Sequence, residues 1–227
     1  MIIRIVACSM LLLFPWLSPC QAQVAEPAPE KTISIKFSPQ HLLINGLHLY
    51  IERIPKQGSR HGLVLSPRFY SGKTNTVDIL AGRGWEDEHA KVFGYGAEVQ
   101  HRIYINNSAS LHHRKVYLAY GVNYHHYNVE FERNGWLQEK DQEGLEVYKY
   151  RLRPFNEKIN QLGGVAMLGL QTSSLDGHLL FDFYSGAGIK NSSVDTNYLY
   201  TRYERNAMDF GYSGLYFIGG FALGVAF

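Results

Sequence analysis

Histidine is the residue of this chain that most invites a chemical reading. There are 10 among 227 residues, and two pairs are adjacent: His112 and His113 in "LHHR", His125 and His126 in "YHHY". A zinc-type centre needs three or four such ligands converging on one point. On a strand, neighbouring side chains point to opposite faces, so His125 and His126 cannot both reach one ion. One member of a pair would have to meet His48, His101 or His178 from other segments, and no spacing demands it. Nucleophilic catalysis asks instead for a hydroxyl beside a base. Neither "HHYN" nor "HRIY" supplies a serine next to its histidine. Ser192, Ser193 and Asp195 read as loop residues that only folding could assemble into a site. The expectation is therefore no catalytic residue, no metal ligand and no cofactor.

What the polar residues share is phase within segments that alternate with period two. "KTISIKF" sets Ile33, Ile35 and Phe37 against Ser34 and Lys36, and "INGLHLYIERI" sets Leu47, Leu49 and Ile51 against His48, Tyr50 and Glu52. "HGLVLSPRFY" opposes Leu63, Leu65 and Phe69 to Arg68, with Pro67 tolerable only at a bulge or an unpaired position. "VFGYGAEVQHRIYI" opposes Phe93, Tyr95, Val99 and Ile103 to Glu98, Gln100 and Arg102. "KVYLAYGVNYHHY" and "HLLFDFYSGAGIK" repeat the pattern, with Asn123, His125, His178, Asp182 and Lys190 on the polar side. "NQLGGVAMLGLQT" is weaker, because Val165 and Met167 share a face with Gln161 and Gln171. The final run "GLYFIGGFALGVAF" puts Phe221, Leu223, Val225 and Phe227 on one face and mostly small residues on the other; its four glycines argue against a helix. That makes eight strands.

Their connectors alternate. "PKQGSR", "NNSASLHHR" and "SSLDG" are short, whereas residues 71–91, 131–157 and 191–213 are longer and more polar. An even strand number with short turns at one end and long loops at the other marks an outer-membrane barrel, and the expected fold is all-β, an eight-stranded antiparallel transmembrane up-and-down β-barrel over residues 31–227. A soluble sandwich is the competing architecture. In lipid an open edge is costly, so the last strand must pair with the first. The polar set (Lys36, His48, Glu52, Arg68, Glu98, Gln100, Arg102, Asn123, His125, His178, Asp182 and Lys190) then fills the narrow interior as a paired network, with Arg102 beside Glu98.

Residues 1–22 hold Arg4, an apolar core from Ile5 to Leu17 and a plausible cut after Ala22, which reads as a cleaved secretory signal peptide. A membrane anchor is the alternative, as is lipidation at Cys20. Residues 23–30 form a short Pro- and Ala-rich leader. Both cysteines precede that cut, so the exported chain has no disulfide to rely on. A formal charge of +2 with 19% charged residues gives no case for nucleic acid. An aromatic fraction of 14% suits a membrane interface.

The stretches "LYIERI", "GYGAEVQHRIYI", "KVYLAYGVNYHHY" and "LLFDFYSGAGIK" following "GLQT" resemble the small outer-membrane barrels of unknown function widespread in Bacteroidota. That resemblance runs from about residue 31 to the end, implies a Gram-negative outer membrane and carries no enzymatic assignment that could be transferred. The terminal Phe221, Leu223, Val225 and Phe227 also resemble the carboxyl-terminal signal read by the bacterial outer-membrane assembly machinery. The expected partners are outer-membrane lipid, that machinery during insertion, and a larger outer-membrane complex. The expected function is a structural or interaction role, with surface loops as contact sites. "NVEFERNGWLQEKDQEGLEVYKYRL" alternates on both flanks of a polar tip, which reads either as a projecting hairpin or as a solvated loop. Two functional alternatives stay open. One is a lipid A-modifying hydrolase of the small-barrel type, although the His-x-Ser strand spacing of one such group is absent. The other is a small gated channel.

Overall fold

Sustained alternation in segments rich in Tyr, Phe, Val and Leu favours strands, and strands leave backbone groups that only other strands can satisfy. In the computed structural model, which describes residues 32–55, 59–82, 90–105, 114–174, 178–197 and 200–227, eight strands follow one another and the sheet closes on itself. They are β1 (Ile33–Phe37), β2 (Gly46–Arg53), β3 (His61–Lys73), β4 (Lys91–Tyr104), β5 (Arg114–Lys140), β6 (Glu146–Ser173), β7 (Leu179–Thr196) and β8 (Gly214–Ala226). A 3₁₀ turn, Pro39–Ile44, joins β1 to β2, and a short helix α1 (Asn75–Leu80) follows β3. The expected signal peptide (1–22), the leader (23–30) and His112 and His113 lie outside the described residues.

Closure is made by the apolar terminal run. β8 pairs antiparallel with β1 from Ser34↔Ala226 to Phe37↔Leu223, and Phe227 extends the seam, its carbonyl accepting from Thr32 at 3.1 Å and its amide donating to Ile33 at 2.8 Å. The small residues of β8 face inward because the interior leaves no room there. A Cβ on Gly224 would overlap the Lys36 side chain, and one on Gly169 of β6 would overlap the Tyr117 ring. Pro67 sits where β3 loses its pairing with β2, between His48↔Arg68 and Ile51↔Leu65, while the β4 side continues through Pro67↔Ala97. The register is unbroken, so this is an unpaired position and not a bulge.

The wall is inverted in polarity relative to a soluble protein. Leu63, Phe93, Val122, Leu162, Ile189 and Phe217 are exposed on the outside, while Lys36, Glu52, Arg102 and Asp182 are buried within. At the end carrying the long connectors the barrel is stoppered by an apolar cluster. Val92, Val129, Phe131, Phe155 and Ile159 of the strands pack with Val77 of α1 and with Tyr203 and Phe210 of the β7–β8 connector. That connector is folded over the mouth by hydrogen bonds: Glu157 accepts from the amides of Arg202 (2.6 Å) and Tyr203 (3.2 Å), and Gln161 donates to the Phe210 carbonyl at 2.7 Å.

The β5–β6 hairpin is much longer than the barrel. Pairing with β4 ends at Lys91↔Glu130 and with β7 at Glu157↔Thr196, yet β5 and β6 stay in register from Phe131↔Phe155 to Lys140↔Glu146. Ten further pairs at roughly 3.3 Å each make a two-stranded ribbon about 33 Å long. Its tip is closed by the Asp141 carboxylate, which accepts from the amides of Glu143 and Leu145, both at 2.9 Å, with Gly144 at φ +82°. Of the two sequence readings of this segment, the hairpin is the observed one.

Candidate functional site

Two polar layers fill the barrel interior. The layer nearer the short turns is built on β1, β2, β4 and β7, each contributing one inward charge. Lys36 Nζ lies 2.7 Å from Glu52 Oε2 and 2.7 Å from Asp182 Oδ2, while Arg102 Nη1 lies 3.3 Å and 2.7 Å from the same two oxygens. Two cations thus face two carboxylates, and the formal charge of the group is zero. The second oxygen of each carboxylate takes a phenol: Tyr104 donates to Glu52 Oε1, and Tyr117 donates to Asp182 Oδ1 at 2.7 Å. The Arg102 guanidinium also stacks 4.3 Å above the Tyr117 ring. All four charged residues are at most 2% exposed. Each of the four carboxylate oxygens thus has at least one partner within the layer.

The second layer lies toward the long connectors. Arg68 Nη2 is 2.5 Å from Glu98 Oε2, which also accepts from Asn123 at 3.1 Å, and Arg68 Nη1 is 3.2 Å from His125 Nε2. His48 Nε2 pairs with the Tyr70 hydroxyl at 2.8 Å, and His41 of the 3₁₀ turn stacks on His48 with ring centroids 3.7 Å apart. Gln100 joins the layers, its amide nitrogen donating to Glu98 and its oxygen accepting from Arg102 Nε at 3.5 Å. Burial, together with the nearby Arg68 guanidinium, lowers the pKa of His41 from 6.5 to about 4, so the ring is neutral in its connector.

The structure brings most of the sequence-derived network inside: Lys36, His48, Glu52, Glu98, Gln100, Arg102, Asn123, His125 and Asp182 are buried, and Arg68 and Lys190 are largely so. Three expectations need correction. His178 is exposed and precedes β7: it keeps the phase of Leu180 and Asp182, but the strand begins only at Leu179. Arg102 does not pair with Glu98: residues i and i+4 on a strand share a face but stand about 13 Å apart, so each finds its partner on another strand. Ser192, Ser193 and Asp195 are not loop residues but lie on β7, where Ser192 turns inward to Gln161 at 3.1 Å and Ser193 and Asp195 turn outward. Their alternation keeps them from converging. Lys190 donates to the Asp209 backbone carbonyl at 3.5 Å and lies over the rings of Tyr212 and Tyr216. Among the described residues no group of three or more His, Cys, Asp or Glu is arranged to hold a metal ion.

Sequence reasoning overlooked the inward tyrosines. Tyr104 and Tyr117 share the phase of Arg102 and of Asn123 respectively, so the alternation already assigned them to the interior. Val165 and Met167, which blurred the sixth strand, also point inward and pack on these two rings.

The ribbon is the second candidate. One face carries Trp136, Tyr148, Tyr150 and Leu152, with Trp136 66% and Tyr148 64% exposed and the Trp136 and Tyr150 rings 5.2 Å apart. The other carries Arg133, Lys149, Arg151 and Arg153 against Glu139, to which Lys149 and Arg151 are paired.

No protein-family model matches the chain, and no curated protein matches it in sequence. Among solved structures, the crystal structure of Acinetobacter baumannii CarO is similar at a TM-score of 0.38 and 10% identity, covering 89% of this chain and 100% of that one. A likeness at that level carries no argument about what this chain does.

Proposed function

We propose that this protein is an outer-membrane barrel of a Gram-negative bacterium, without enzymatic activity, that holds the β5–β6 ribbon above the membrane as a contact element for another component of the cell surface. The membrane reading is supported by the inverted wall, apolar outside and charged inside, and by closure of the sheet edge. In this reading the short turns and both termini face the periplasm, and the outward Phe221, Leu223, Val225 and Phe227 are what the assembly machinery would recognise. Kinship with the small Bacteroidota barrels belongs to the same proposal.

The observation that carries the interaction role is the ribbon itself. Beyond Glu130 and Glu157 its two strands pair with each other and with no other strand among the described residues. It keeps large aromatic rings in the open on one face, and unpaired edges and exposed aromatic patches are what protein contacts use. The test is affinity isolation from native outer membranes, comparing the wild type with Trp136→Ala/Tyr150→Ala. A discrete partner should co-isolate with the wild type and be lost from the variant, while both migrate differently in gels before and after boiling, as a folded barrel does. A lone barrel from both samples would sink the contact role. Identical migration with and without boiling, together with release by salt alone, would sink the membrane reading.

A further inference from the structure

On the outer wall below the rim of the long connectors, β3, β4 and β5 form a cleft of about 300 Å³, lined in part by Ser71, Lys73, Lys91, Phe93, Asn128 and Glu130. The register stacks these side chains in rows. Lys73 lies directly opposite Lys91, and Lys91 opposite Glu130; one step toward the barrel middle come Ser71, Phe93 and Asn128; one step further come Phe69, Tyr95 and His126. Phe93, Tyr95 and Phe69 are all exposed on the outside. The wall therefore passes within three rows from lysine to aromatic, and below that to Leu65, Val99 and Val122.

Two lysines placed opposite each other repel, and a protein gains nothing by that arrangement alone. Among the described residues neither ammonium is in an ion pair; the Glu130 carboxylate accepts from the Asn128 amide at 3.3 Å instead. Among the described residues, one carboxylate against two ammoniums leaves an excess positive charge at the head of an aromatic, apolar track. That combination matches a molecule with a phosphate at one end and hydrocarbon below it. Long lysine stems lie along apolar surface while their charged heads reach the interface, and basic sites at such interfaces bind phosphorylated headgroups.

Resting on the outer-membrane reading, we propose that this cleft is a binding site for the phosphate-bearing glycolipid of the outer leaflet, with Lys73 and Lys91 on a phosphate and Phe93 and Tyr95 against the first methylenes of an acyl chain. The phosphate would offset the repulsion between the two ammoniums, and the acyl chain would cover rings otherwise left to bulk lipid.

The test uses full-length mature protein folded in detergent and native mass spectrometry to count what it retains. The probes are lipid A, dephosphorylated lipid A and inorganic phosphate, applied to the wild type, Lys73→Gln/Lys91→Gln, and Lys149→Gln on the ribbon as a charge control. One lipid A should be retained by the wild type and the control, with about thirtyfold weaker retention by the double variant, from the loss of two interfacial lysines. Dephosphorylated lipid A should be retained as poorly by the wild type. Equal retention by the wild type and the double variant, or indifference to the phosphate, overturns the site. Displacement of lipid A by millimolar inorganic phosphate, with the phosphate itself retained, overturns the glycolipid source in favour of a free anion. Heat-modified migration of each sample reports folding separately: a wild type that shows none and fails to enter liposomes removes the membrane reading, and the lipid site with it.

Discussion

The two polar layers of the barrel each centre on arginine and glutamate and differ in how completely their polar groups are satisfied. In the layer near the short turns, both carboxylates meet both cations and a phenol each. In the layer near the long connectors, Arg68 and Glu98 form one pair, and around them His48 Nδ1, His125 Nδ1, Ser66 Oγ and Arg68 Nε have no hydrogen-bond partner within the described residues. A fully connected network rigidifies. The first layer reads as the fastening of the barrel, and the second lies under the 3₁₀ turn and the apolar stopper.

The largest effect should come from breaking the fastened layer. Arg102→Ala leaves Lys36 as the one cation for Glu52 and Asp182, whose phenol donors remain, and removing one partner of a buried charge group costs about 3 to 5 kcal/mol. Urea unfolding in micelles should show it. A loss no greater than that of an exposed control such as Arg53→Ala would mean that the layer does not hold the barrel. Planar-bilayer recording of the same variant sharpens the point: steady currents from the wild type would turn the reading toward a channel.

A smaller loss is expected in the second layer. Arg68→Ala strips Glu98 of its cation but leaves the hydrogen bonds from Asn123 and Gln100, and the Arg68 side chain is 12% exposed against 2% for Arg102, so about 1.5 to 3 kcal/mol is expected, the range for one hydrogen bond to a charged group. If Arg68→Ala proves more damaging than Arg102→Ala, the contrast between the layers is reversed.

The smallest effect is confined to the mouth and depends on pH. His41 binds its proton at about 4 in the fold against 6.5 unfolded. Between those values the unfolded connector holds more protons, so the stability that neutral His41 contributes is complete above pH 6.5 and is lost as pH falls toward 4. Amide exchange of Leu42 to Asn45 should quicken over that window while the strands stay protected, and His41→Phe should flatten the response. An unchanged response in His41→Phe would assign the acid sensitivity to another group.

How much could be read in advance differed by region. Along β1 to β4, each strand has an oily and a polar side, and the alternation alone sorted Lys36, Glu52, Glu98 and Arg102 to the interior. In the sequence β7 is legible only as far as Lys190, because Asn191, Ser192, Ser193 and Asp195 are polar on both faces and period two leaves no trace there. The ends of β5 and β6 carry charge on one face and aromatic rings on the other, which left hairpin and loop equally legible. The β7–β8 connector looked like a surface loop, and nothing local to it announces that Tyr203 and Phe210 would turn inward.

The amino-acid order alone was enough for the strand count, the face of nearly every strand residue and the closing role of the last strand, because these follow from a two-residue repeat and from the need to pair every edge. Partner choice was beyond it. Arg102 meets Asp182 across 80 positions of sequence, Arg68 meets Glu98 on the neighbouring strand, and Lys73 comes to face Lys91 only through the β3–β4 register. Phase says which side of the wall a residue occupies, but its height along the barrel is set by the register of all eight strands at once, and height decides which charges touch.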